Sequence, residues 1–216
     1  MRTTLDAQLQ KLNDELIEMG ALCEEAIANA MKGLFEQNKA LGKQALECDN
    51  QIDNKERDIE EHCLKLLLRQ QPVASDLRKV SSALRMISDM ERIGDHATDI
   101  VEISHFVFDV NPQEMTHLHT MAQTALKMLT CSIDSFVKQD LAMAQQTIAM
   151  DDELDALFAS FKTDLVGMVQ QMPQKGEALL DLMMIAKYLE RVGDHATNIA
   201  EWVEYCLTGV HKSGGN

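Results

Sequence analysis

The chain has 216 residues, 45% hydrophobic and 25% charged, which supplies a packed core and excludes bulk disorder. Its formal net charge of -15 repels nucleic acid and anionic lipid, so no nucleic-acid partner is expected. Five cysteines, an odd number without a CxxC pair, read as reduced thiols of a cytoplasmic protein, and no apolar run approaches the ~20 residues of a membrane span.

Only 10 glycines and 3 prolines punctuate the chain, which suits long helices rather than a turn-rich β architecture. Leu5, Leu9, Leu12, Leu16 and Met19 begin a stripe at helical spacing that Cys23, Ala26 and Ala30 continue. The start, MRTTLDAQLQ, lacks the apolar segment of a signal peptide. Six helices are expected, near 3–37, 39–70, 76–109, 112–139, 140–171 and 175–208. Pro72, Asn111-Pro112 and Pro173 mark three of the breaks. The tail HKSGGN is expected to be disordered.

The third helix carries ERIGDHATDI at 91–100, and the sixth carries ERVGDHATNI at 190–199. Asp49 and Asp53 align likewise with Asp151 and Asp155, and Pro72 with Pro173. The chain is therefore two copies of a three-helix unit. Short connections make consecutive helices antiparallel neighbours, so the fold class is all-α, two tandem three-helix bundles. The units are placed at 1–110 and 111–209, with the tail at 210–216.

On a helix that turns about 100° per residue, Leu77, Val80, Leu84 and Ile87 share a face with Glu91, Asp95, Thr98 and Glu102, and Asp99 lies beside it. The acids are thus expected to continue the core-facing stripe. Glu190, Asp194, Thr197 and Glu201 repeat the arrangement. On the preceding helices Asp49, Asp53, Glu56 and Glu60 line up with Cys63 and Leu67, and Asp151 and Asp155 with Leu165 and Val169. Antiparallel neighbours bring these rows to one level, giving one acidic patch per half. Two carboxylates about 6 Å apart repel by roughly 3 kcal/mol at an effective dielectric near 20. Four to six together need relief from protonation, basic side chains or bound cations.

All-carboxylate ligation suits Mg²⁺, Mn²⁺, Ca²⁺ or iron. Arg92 and Arg191 adjoin the acids in sequence but project about 100° away from Glu91 and Glu190. A salt-bridge network supplied by the remaining helix stands as the alternative to metal. His96 and His195 each follow an Asp directly and so project off the acid row, and the Glu-x-x-His spacing of di-iron enzymes is absent. Capping or packing against a neighbouring helix is their expected role. No nucleophile and base pair and no phosphate loop is visible, so no catalytic residue is assigned.

The run PVASDLRKVSSALRMISDMERIGDHATDIVE at 72–102 resembles the third helix of the PhoU family, and YLERVGDHATNIAE at 188–201 resembles its second repeat. The likeness spans the chain in length, repeat structure and motif order. It implies two three-helix bundles, each holding a multinuclear metal cluster of iron, manganese or magnesium. The family's motif acids fall on Asp49, Asp53, Glu91 and Asp95, then on Asp151, Asp155, Glu190 and Asp194. A further position, commonly Asn, falls on Asp99 and Asn198.

The resemblance also implies a non-enzymatic cytoplasmic regulator of phosphate uptake. Its partners would be the phosphate ABC importer and the phosphate-sensing histidine kinase. It would keep the phosphate-starvation response off when phosphate is plentiful. A homodimer, held at the membrane only through those partners, completes the expectation. Glu56 and Glu60 align with Phe158 and Lys162, and Asp99 with Asn198, so the second patch is expected to bind fewer ions or bind them more weakly. A metal-free helical adaptor and a carboxylate-bridged metalloenzyme are the alternatives.

Overall fold

Helical spacing puts Leu12, Leu16, Met19, Cys23, Ala26, Ile27 and Ala30 on one buried face of the first helix, α1 (Arg2–Phe35). The structure is a computed structural model and describes residues 2–107 and 115–210. Six further α-helices follow: α2 (Lys39–Gln70), α3 (Ser75–Ser104), α4 (Thr116–Lys138), α5 (Leu141–Ala149), α6 (Asp151–Gln171) and α7 (Gly176–Thr208). A 3-10 turn at Pro173–Lys175 leads into α7. Among the described residues there is no strand.

The same turn opens the second element of each unit. Gln37 and Gln139 adopt left-handed φ values of 51° and 54°. The next residue then caps a helix: Asn38 Oδ1 accepts from Ala40 N at 3.0 Å, and Asp140 Oδ1 from Met143 N at 3.0 Å. Each cap satisfies an amide that has no carbonyl partner inside its helix. Replacing Asp140 by Ala is expected to cost about 1 kcal/mol in urea unfolding. An unchanged midpoint would show that the cap contributes nothing.

The single helix expected at 140–171 is divided into α5 and α6 at Met150. Buried Thr147 turns its Oγ1 back onto Met143 O at 3.0 Å, an arrangement that bends helices. Asp151, Asp152 and Glu153 then form a fresh first turn, where negative charge is favoured. The third helix stops at Ser104 rather than reaching 109, with Phe106 N and Val107 N bonded in tight turns to Ile103 O and Ser104 O. The expected boundary at 110/111 and the tail at 211–216 lie outside the described residues.

Helices α1 to α3 form one bundle and α4 to α7 the other. The two share a continuous apolar core, with α3 packed along α7 and α1 along α4. The α3/α7 seam is antiparallel. Arg78 Nε donates to Cys206 O at 3.0 Å and Ser82 Oγ to Trp202 O at 3.1 Å, while further along His96 meets Tyr188. All five cysteines are unpaired.

Candidate metal centres

In the first unit α2 and α3 bring the expected acids together. Thr98 Oγ1 donates to Asp49 Oδ2 at 2.9 Å across the helix pair. The other oxygen, Asp49 Oδ1, is buried with no hydrogen-bond partner. The close approach depends on Gly94, because a Cβ there would lie 2.6 Å from Asp49 Oδ1 and 3.1 Å from Ile52 Cδ1.

Burial, and then the negative charges of Asp53, Asp95 and Asp99, push the Asp49 carboxyl above its usual range, although the Thr98 hydroxyl opposes this. Glu91 is raised by burial and by Asp95, Glu56 and Asp53, against the pull of Arg92. Glu56 is raised by burial and by Glu60 and Asp53. Acids of both helices therefore sense one another, as the antiparallel register requires.

Arg92 departs from the expected direction. Its long side chain curls back along α3, placing Nη1 3.0 Å from Asp95 Oδ2 and Nε 3.4 Å from Glu91 Oε2. Arg57 Nη2 lies 3.7 Å from Asp53 Oδ2. Both arginines sit on the same helix as the acids they meet, so these pairs are not the network expected from the remaining helix, and among the described residues no ion pair engages Asp49.

The second unit repeats the frame with different charges. Thr197 Oγ1 donates to Asp151 Oδ1 at 3.2 Å, the counterpart of the Thr98 bond. Burial first, and then neighbouring acids, raise Asp151 and Asp194. Glu190 is paired with Lys187. The Lys187 ammonium also lies 5.5 Å over the Phe158 ring. In the first unit Glu56 faces Ser88; in the second, Phe158 and Lys187 hold the aligned positions. An acid and a serine in the first unit are thus an aromatic ring and a cation in the second.

The acids sit differently on their helices from the expected core-facing row. The fully buried line of α3 runs through Val80, Ala83, Met86, Met90, Ile93, Ala97 and Ile100. Leu77 is exposed, and the Glu91, Asp95 and Asp99 side chains keep 24%, 41% and 40% of their surface. These acids occupy the shoulder of the stripe. Asp155, Asp194 and Asn198 are exposed, and Val169 of the matching stripe on α6 is exposed as well. The physical reason is desolvation, which keeps carboxylates within reach of water even on an inward-leaning face.

Among the described residues, no three His, Cys, Asp or Glu side chains stand at ion-ligating spacing. Mutual repulsion separates carboxylates that carry no counter-charge, and each side chain can turn inward by rotation about χ1 and χ2. The fit to a hard cation therefore rests on the orphaned Asp49 Oδ1, the Gly94 cradle and an oxygen-only donor set. The residues present satisfy all three conditions in the first unit. The second unit shares the donor set and the threonine brace, but Lys187 competes for it.

At the α3/α7 seam the two histidines meet residues to which the sequence gave no role. His96 Nδ1 lies 3.4 Å from Asp99 Oδ2, its ring stacks on Tyr188 at 5.5 Å, and it meets His195 at 5.5 Å. Burial lowers the His96 pKa, and His195 and Arg191 add to that effect, against the raising influence of Asp99. His195 Nδ1 lies 2.9 Å from Asp89 Oδ1. The histidines pack between the repeats, as their angular position off the acid row implies. Asp89 and Tyr188 lie outside the repeated phrase and gave no signal of their own. Lys187 was legible only as a basic residue one turn before Glu190.

A family model described as the PhoU domain matches residues 16–104 and again 118–203. A phosphate-specific transport system accessory protein PhoU homolog of Clostridium acetobutylicum is 30% identical over 210 residues, covering 96% of each chain. The crystal structure of PhoU from Pseudomonas aeruginosa superposes with a TM-score of 0.90 at 31% identity, over 95% of this chain and 99% of that one. The phosphate transport system regulatory protein PhoU from Streptococcus pneumoniae gives 0.86 at 25% identity, over 97% and 99%.

Proposed function

This chain belongs to the PhoU family, and from that premise we propose that it is an accessory regulator of phosphate transport whose two acidic patches hold hard or borderline cations. The names of its relatives support the phosphate-transport role. The metal reading is carried by Asp49 Oδ1, a buried carboxylate oxygen left without a partner amid acids that raise its pKa. Asp49, Asp53, Glu91, Asp95 and Asp99 would hold the first ion or cluster, and Asp151, Asp155, Glu190, Asp194 and Asn198 the second. Iron, manganese or magnesium suits these oxygen donors.

A bound cation would supply positive charge that fastens α2 to α3 and α6 to α7, and would give each patch an affinity for anions that the bare acids lack. Thr98 and Thr197 hold one oxygen of Asp49 and Asp151, so each aspartate meets an ion with its orientation set. The regulator would act in the cytoplasm through contacts with the phosphate importer and the phosphate-sensing kinase. Among the described residues no helix is long and apolar enough to cross a membrane. A homodimer is part of this reading.

A second reading has its own observation: Arg92, Arg57 and Lys187 neutralise part of each patch. A metal-free adaptor would need no more than this. Elemental analysis of purified protein beside an Asp95→Asn, Asp194→Asn variant separates the two. Bound metal lost in the variant is expected, together with failure of the variant to repress a starvation-responsive reporter at high phosphate. Metal-free wild-type protein that still represses would establish the adaptor.

A further inference from the structure

The two repeats end in tips of the same build and opposite charge. In the first, α2 gives way to α3 around Pro72; in the second, α6 gives way to α7 around Pro173. Both tips expose apolar side chains: Leu64, Leu68, Val73 and Leu77 in one, Val166, Val169, Leu180 and Met184 in the other. Residues 62–86 of the first hold five bases, Lys65, Arg69, Arg78, Lys79 and Arg85, against a single acid, Asp76. The aligned residues 164–185 hold Lys175 against Asp164, Glu177 and Asp181. In a chain of net charge -15, the first tip is a local excess of positive charge.

Gln71 and Ala74 take positive φ values of 45° and 49° on either side of buried Pro72 and exposed Val73. The turn leaves Val73 73% exposed, and Leu68, in the last turn of α2, is 78% exposed. Among the described residues these are the two most exposed large apolar side chains. Arg78 Nε donates to Cys206 O, so α7 ends at this tip and adds exposed Val210. Lys65 meets Glu61, but among the described residues Arg69, Arg78, Lys79 and Arg85 form no ion pair.

We infer that the first tip docks on an anionic phospholipid surface, with the bundle standing end-on. Such a surface places negative charge over an apolar interior, and the tip offers the complement of both. Leu68 and Val73 project from the end of a helix pair instead of lining a groove, which suits a broad surface better than a bound peptide. The long stems of Lys65 and Arg69 let their charges stay at the headgroups while the neighbouring apolar side chains enter.

The negative charge of the whole chain does not prevent this contact. Along α2, Glu56 and Arg69 are separated by about 20 Å of helix rise, whereas charge is screened over about 8 Å at physiological salt. Docked this way, α2 and α3 run away from the lipid and hold the first acidic patch clear of it. Because α7 is antiparallel to α3, the acidic second tip lies at the opposite end of the seam. The inference is independent of the metal reading.

The test is co-sedimentation of full-length protein with phosphatidylcholine vesicles, with and without about 30% phosphatidylglycerol, at physiological salt. Chelator is present throughout, so that no divalent ion bridges the acids to the lipid. The protein is expected to bind the anionic vesicles at least about 10-fold more tightly than the neutral ones. Lys65→Gln with Arg69→Gln weakens that binding about 10-fold or more. Leu68→Ser with Val73→Ser weakens it about 10-fold, and Leu180→Ser with Met184→Ser leaves it unchanged. All six side chains are exposed, so the fold does not depend on them.

Loss confined to the Lys65 and Arg69 variant means charge adhesion without docking and overturns the proposal. So does an equal loss on altering Leu180 and Met184, or binding that ignores every variant. Unaltered protein that leaves the anionic vesicles in the supernatant overturns it too, and gives the tip to an acidic protein partner instead.

Discussion

Loading the metal-free protein with Mn²⁺ is expected to raise its melting temperature by ~10 °C or more and to reverse the pH dependence of its stability. A ligand at a hundred times its dissociation constant stabilises the folded state by about 2.7 kcal/mol per site. Two centres give roughly 5 kcal/mol, and each kcal/mol moves the midpoint of a chain this size by about 2–4 °C. The pH effect follows from the raised carboxyls. Asp49, Glu56, Glu91, Asp151 and Asp194 all have folded pKa values above the ordinary carboxylate range, through burial and neighbouring acids.

The folded, metal-free protein therefore holds more protons than the unfolded chain between the unfolded and folded values. Its stability rises as pH falls from neutrality through the raised values, and stops rising near the ordinary value of about 4. His96, lowered by burial, works in the opposite sense below its ordinary value and is outnumbered by the five raised carboxyls; Glu18 and Glu61, held low by Lys55 and Lys65, do the same but are fully exposed and screened. Metal binding requires the ionised acids, so the loaded protein loses stability over the window in which the bare one gains it. Thermal unfolding from pH 7.5 to 5, with chelator and with Mn²⁺, measures both slopes. Parallel curves and a common midpoint would exclude structural cations from both patches.

Gly94→Ala is expected to remove the ion from the first centre and to destabilise the protein by about 1–3 kcal/mol. The added methyl falls 2.6 Å from Asp49 Oδ1 and 3.1 Å from Ile52 Cδ1. Asp49 is tied by Thr98 and cannot yield without losing that bond, and Ile52 is fully buried. The helices must then move apart, and the acids of α2 leave those of α3. Greater helix propensity of about 1 kcal/mol offsets part of the loss.

The aligned Gly193→Ala is expected to cost less. Its methyl meets the far end of the Leu154 side chain, which can change rotamer. Denaturant unfolding and metal content of the two variants should differ in this order. Equal behaviour would show that the approach of Asp49 to α3 is not what Gly94 protects.

Several features were legible because they depend on local order alone. Pro72 and Pro173 marked helix ends to within a few residues. The break at Met150 was not legible, since Thr147 bonding back to Met143 O depends on its burial and rotamer rather than on its type. The acid rows were legible through their four-residue spacing, and their pairing through the repeat. Their depth was not: the expected core-facing row lies on the shoulder of the stripe, because helical angle fixes direction but the neighbouring helix decides burial. Arg92 shows the same limit, since a Cβ direction does not fix where a long side chain ends.

The sequence by itself determined that this chain is an all-α tandem repeat, and which carboxylates recur in each copy. Those properties follow from periodicity and from likeness between segments, which need no partner in space. Only the tertiary structure decided that Asp49 Oδ1 is buried without a partner beside Thr98, and that Asp89 accepts from Asn198 of the other repeat. Such contacts join residues far apart in the chain, and their energies depend on distance and burial that no local spacing encodes.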